Sequence, residues 1–228
     1  MKQSFLLSVL SIGLLFASCK KSSNSPGYNQ PSVNYRLTAT NTSYAVARTT
    51  ATANIVWTSA IAYPDKVKFE ATQNSIEATF TSTNTAQIDL MAPVALTFGN
   101  FTIPPGVYNQ ISIKIDLDKT GSTPILQLNG NFTFGSFSAP VSLAVTQSIE
   151  LTTDQHNVTI SNDSSYTAVT TLDLSAITTS ITADMLLNAQ LSGGTIFISA
   201  DSNRDLYDIV LDHLQHENHH CEFEHHHE

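Results

Sequence analysis

Val107-Tyr108-Asn109-Gln110-Ile111-Ser112-Ile113-Lys114-Ile115-Asp116-Leu117 is the stretch that decides the fold. From Ile111 onward every second residue is large and apolar, and Ser112, Lys114 and Asp116 fill the places between. Successive residues of a strand project to opposite faces of a sheet, so this alternation describes a strand with one face on a core and one in water. Pro104-Pro105-Gly106 introduces it and Asp118-Lys119-Thr120-Gly121 leaves it. Both flanks are turn chemistry, since Pro presets φ and Gly tolerates positive φ.

Working outward, short runs of the same kind recur. Residues 35–39, 53–61, 67–71, 76–80 and 86–90 precede the central strand, with Tyr63-Pro64-Asp65-Lys66 read as a turn. Residues 125–134, 141–145, 148–151, 158–161 and 168–174 follow it, with Asp154-Gln155-His156-Asn157 read as a turn. Strands separated by turns about every 8–12 residues indicate a sandwich or barrel. The expected body is mainly β, an antiparallel β-sandwich over 33–200. Helical signals come late. A short helix is expected over 184–189, Gly193-Gly194 breaks the chain, and Thr195-Ile196-Phe197-Ile198-Ser199 reads as a last strand. Ser202-Asn203-Arg204-Asp205 has the form of a capping box. Leu206, Ile209, Val210, His213 and Leu214 then recur at helical spacing. A C-terminal amphipathic helix is therefore expected over 201–217, followed by a His/Glu-rich tail over 218–228.

Composition agrees with a β body. Charged residues are only 13% of the chain, and Thr and Ser are abundant. β-Branched side chains pack well on half-buried pleated surfaces. The net charge of -9 argues against nucleic acid, whose phosphates need a basic surface. Three of the ten basic residues, Lys2, Lys20 and Lys21, fall before the body.

The first residues set the expected location. Met1-Lys2 precedes an apolar run from Phe5 to Phe16, the pattern of a secretory signal peptide over 1–18. A spanning helix needs about 20 apolar residues, more than this run supplies. Ala17-Ser18-Cys19 resembles a bacterial lipobox, with Phe16 where Leu is commonest. That resemblance implies cleavage before Cys19, a diacylglycerol on its sulfur and acylation of the new amine. Lys20-Lys21-Ser22-Ser23-Asn24-Ser25-Pro26-Gly27 then reads as a flexible tether within 19–32. The bland alternative is an ordinary signal peptide with an incidental cysteine. With Cys19 lipidated, Cys221 has no cysteine left in the chain to pair with. The expected location is exported and lipid-anchored to a bacterial membrane, the outer one.

Four stretches carry a further likeness: Trp57-Thr58-Ser59-Ala60, Val67-Lys68-Phe69-Glu70-Ala71, Gln87-Ile88-Asp89-Leu90, and Ile103-Pro104-Pro105-Gly106-Val107-Tyr108-Asn109-Gln110-Ile111. In this order they resemble small surface lipoproteins of the Bacteroidota, over residues 33–174. Those proteins carry a β-sandwich domain in which a Pro-Gly-Tyr turn opens a central strand. The resemblance implies a fold and brings no activity with it.

One segment carries metal-binding chemistry. Seven of the eight histidines follow Asp212. His213, His216, Glu217, His219, His220, Cys221, His225, His226 and His227 supply imidazole, carboxylate and thiolate, the ligand set for Zn, Ni and Cu. Were the helix to continue, His213, His216, Glu217 and His220 would share a face at i, i+3, i+4 and i+7. The bland alternatives are a solvated low-complexity end and, for His213 alone, a residue at the edge of the helix packing.

Other signals are weaker. His156 reads as a solvated loop residue. Asp116, Asp118 and Gly121 loosely suggest a calcium loop, but a hairpin turn explains them better. Glu70, Glu77 and Asp89 lie on separate strands, and no nucleophile elbow, phosphate loop or zinc helix is present in the sequence. Trp57 and Tyr108 suit a sugar platform if exposed and a core if buried. The expected function is that of a non-catalytic binding or structural lipoprotein, not an enzyme, with divalent metal on its tail. The alternative is an accessory that binds carbohydrate or protein for an outer-membrane uptake system.

Overall fold

A computed structural model describes residues 30–40, 42–46, 53–73, 76–83, 86–94, 97–118, 123–162, 164–216 and 220–226. In chain order the strands begin with β1 (Ser32–Thr40), β2 (Ser43–Val46), β3 (Ala53–Ala62), β4 (Pro64–Gln73), β5 (Ile76–Thr83), β6 (Ile88–Asp89) and β7 (Thr97–Thr102). They continue with β8 (Gly106–Leu117), β9 (Leu126–Phe134), β10 (Phe137–Val145), β11 (Ile149–Ile160) and β12 (Ser165–Asp173). A 3-10 turn (Ala176–Thr178), helix α1 (Ala183–Leu187), β13 (Leu191–Ser192), β14 (Thr195–Ile198), helix α2 (Arg204–His216) and β15 (His220–His226) complete the order. The fold is mainly β and sandwich-like, with a helix near the C-terminus. No helix among the described residues is long and apolar enough to cross a membrane.

The deciding strand, β8, lies inside an antiparallel sheet of order β11-β8-β4-β5. Ile111, Ile113, Ile115 and Leu117 are all buried, as the alternation requires; Lys114 and Asp116 stay partly exposed, but Ser112, expected in water, is buried. A second sheet runs β15-β12-β1-β7, and a third runs β13-β14-β10-β9-β3-β2 with β6 on β3. Aromatic packing joins the first two sheets. Phe101 of β7 sits 5.0 Å from Tyr35 of β1, 4.3 Å from Phe69 of β4 and 5.2 Å from Phe80 of β5, centroid to centroid. Such offset and tilted contacts add to the burial of the rings themselves.

Several expectations change. The sheets are not purely antiparallel, because β1 runs parallel to β12 and β10 runs parallel to β14. Alternation records which face is buried, and it reads the same for either direction. The stretch 154–157 is no turn. Asp154, Gln155 and His156 pair with Ser112, Ile111 and Gln110, so β11 is one strand. Asn157 absorbs a φ of 57° without ending it, a conformation Asn tolerates better than most residues. The expected turn at 63–66 shrinks, since β4 already starts at Pro64 and its register shifts between Pro64 and Lys66. The expected strand at 86–90 is only Ile88–Asp89, and β7 had no clear alternation to announce it.

Near the C-terminus, α2 buries Leu206, Tyr207, Val210 and Leu214. Asn203, just before it, takes a φ of 50°. Its side chain accepts from Gln190 N at 2.7 Å and donates to Gln190 O at 3.0 Å and Phe197 O at 2.7 Å. It therefore fastens the start of α2 both to the segment after α1, at Gln190, and to β14, at Phe197. The tail expected over 218–228 is not free of the fold, because residues 220–226 form β15 on the edge of β12.

Candidate functional site

The last turn of α2 presents two of the histidines. His213 is half-buried, and its Nε2 lies 3.0 Å from Ser180 Oγ. That contact fits a residue at the edge of the helix packing. His216 is exposed, and its Nδ1 lies 3.0 Å from Asp212 Oδ1 and 2.9 Å from the Asp212 carbonyl oxygen. A histidine in the last turn also suits the negative end of the helix dipole.

The helix then stops, which corrects the shared helical face. His220 begins β15, so it does not stand one turn beyond His216 on α2. The cause is tertiary. Seven residues of β15 pair antiparallel with β12, from His220 opposite Thr171 to His226 opposite Ser165. Phe223, opposite Ala168, packs against the core, while Glu222 and Glu224 are exposed. A ladder of backbone hydrogen bonds and a partly buried ring favour the extended form over a longer helix. Cys221 and His225 stand opposite Thr170 and Tyr166. Cys19, Glu217, His219 and His227 lie outside the described residues. No group of three or more metal-ligating side chains close enough to hold one ion occurs among the described residues.

Four of the carboxylates weighed for other chemistry are engaged elsewhere, and Glu77 is exposed on β5. Glu70 is bonded by Lys68 and by Lys114 Nζ, the latter at 3.0 Å. Those hydrogen bonds hold its carboxyl below the usual range. Asp116 pairs with Lys66 at 3.1 Å, and Asp118 accepts from Ser148 Oγ at 2.9 Å. Asp89 accepts from the Met91 amide at 3.0 Å. Trp57 and Tyr108 are buried, each 2% exposed, so they belong to the core and offer no sugar platform. Tyr108 donates from its hydroxyl to the Pro104 carbonyl at 2.7 Å, which ties the Pro-Pro-Gly turn to β8.

One feature escaped the sequence. A cleft of about 500 Å3 opens where α1 meets the start of α2, lined in part by Asp184, Met185, Asn188, Arg204, Asp205 and Leu206. Arg204 is turned to Asp208, with Nε 2.8 Å from Oδ1. Both helices were legible as elements, but nothing local says that they face each other. Comparison with known protein families, with characterised proteins and with solved structures finds no match.

Proposed function

We propose that the protein is an exported, non-catalytic lipoprotein, anchored to a bacterial outer membrane by acyl chains on Cys19. Its sandwich serves as a binding or structural module, and its His-rich segment binds a divalent transition metal such as Zn, Ni or Cu. The observation that carries the anchor is the run Phe16-Ala17-Ser18-Cys19, placed after a short apolar stretch and ahead of a polar spacer. Several acyl chains on one residue anchor firmly, because each buried methylene contributes roughly 0.8 kcal/mol. Support for the metal comes from the ligand chemistry of the histidines of α2 and of the His, Cys and Glu residues of β15, which lie close together in the sequence.

Mass spectrometry of the protein from its native membranes tests the anchor. The expected product starts at Cys19 and carries the mass of a diacylglycerol and an acyl chain. Cys19→Ala should leave the protein unlipidated and recovered in the soluble exported fraction. An unmodified thiol at Cys19 in the wild type rejects the reading.

The second reading, a glycan- or protein-binding accessory, is favoured by the cleft between α1 and α2. Its volume lies within the roughly 300–1,000 Å3 typical of ligand sites. Asp184, Asn188 and Asp205 supply polar groups there beside the apolar Met185 and Leu206.

A further inference from the structure

β12 has little protection of its own as a sheet edge. Tyr166-Thr167-Ala168-Val169-Thr170-Thr171-Leu172 contains no charge and no proline. Exposed edges are normally blunted by such residues or by bulges, because unpaired N–H and C=O groups template further strand pairing. One side of β12 is taken by β1, and the other is covered by β15 with its exposed Glu222 and Glu224.

The cover is also the segment with the richest set of metal donors, and strand geometry keeps those donors apart. Positions 221 and 225 share one parity and positions 220 and 226 the other. At about 3.3 Å per residue the first pair is ~13 Å apart and the second ~20 Å apart. Donors on one Zn ion must each come within about 2.0–2.3 Å of it, so neither pair can share an ion. Adjacent positions such as 220 and 221, or 225 and 226, belong to opposite faces of the sheet. Within 220–226, strand register therefore sets at most one histidine position next to one glutamate position on a face, 220 beside 222 or 224 beside 226. A site of three or four ligands drawn from residues 220–226 alone requires the segment to leave β12.

Resting on the metal-binding reading above, we propose that covering the β12 edge and binding a transition metal are mutually exclusive uses of residues 220–226. Metal binding then uncovers the seven-residue edge Ser165–Thr171, which is open to another extended strand. Because docking depletes the binding-competent form, it weakens the apparent metal affinity by the same factor.

Hydrogen exchange of the protein, with Zn(II) alone as the ligand, tests this. Amides of β12 that pair with β15 should exchange at least about tenfold faster with zinc bound, while β8 amides stay protected. Phe223→Ala, which loosens β15 from the core, should tighten apparent zinc affinity about fivefold or more. Zinc binding with β12 protection unchanged overturns the inference and leaves the metal reading standing. No zinc binding by either the wild type or Phe223→Ala overturns the metal reading itself.

Discussion

Glu70 shows how a single side chain organises the outer face of β4 and β8. Lys68 and Lys114 stand directly opposite each other across this strand pair, an arrangement that is unfavourable between like charges. Glu70 bonds to both and turns a repulsive pair into a three-membered network. Its carboxyl is held below the ordinary value of 4.5, chiefly by the hydrogen bond from Lys68 and then by that from Lys114. A carboxyl with a depressed folded-state pKa stabilises the fold above its unfolded value, and that contribution disappears as pH falls through the folded one. Glu70→Gln should therefore lower stability at pH 7 and flatten the loss below about pH 4.5. The groups are partly exposed, so the change at neutral pH should be about 0.5 kcal/mol or less. Chemical denaturation across pH 2–7, roughly the range in which carboxylates titrate, checks the sign. A variant as acid-sensitive as the wild type would remove Glu70 from the account.

At the scale of elements, the β3–β9 pair depends on a close approach. The register shifts between Trp57 and Ser59, and Gly130 of β9 lies opposite Trp57. A Cβ built at Gly130 would stand 2.3 Å from the Val56 carbonyl oxygen and 3.0 Å from Trp57 Cα. The obstacle is backbone, which cannot swing aside as a side chain would. Gly130→Ala should cost about 1–3 kcal/mol, the usual penalty for overfilling a packed core. A shift of the denaturant midpoint measures it, and an unchanged midpoint would show that β3 yields. Gly135, at the β9–β10 turn, is the contrast: no atom lies within 4 Å of its added Cβ, but its φ is 57°. Substitution there meets backbone strain and no collision. Both glycines are visible in the sequence, yet only the pairing of strands tells the two roles apart.

For the whole molecule, stability rests on contacts between sheets. Phe69, Phe80, Phe101 and Tyr35 come from four strands and meet across two sheets. Phe69 is 1% exposed, and its removal leaves a void bounded by rings from both sheets. Phe69→Ala should destabilise the fold by about 3–5 kcal/mol, the range for large-to-small aromatic changes in cores. Thermal or denaturant unfolding followed by circular dichroism checks this. A loss under about 1 kcal/mol would mean that the two sheets are held together elsewhere.

The sequence by itself determined which residues face inward along β8, that the body is mainly β, and that an amphipathic helix lies near its end. These follow from periodicity, which is a local property of the chain. Tertiary structure decided the rest. It made β1 and β12 parallel neighbours, kept β11 extended through His156, and brought α1 and α2 together around a cleft. It also took His220–His226 off any helical continuation and paired them with β12. Pairing partners, direction and register depend on residues far apart in the chain, and a strand's alternation is the same whichever neighbour it meets. For that reason the ligand types of the His-rich segment were legible in the sequence, and their arrangement in space was not.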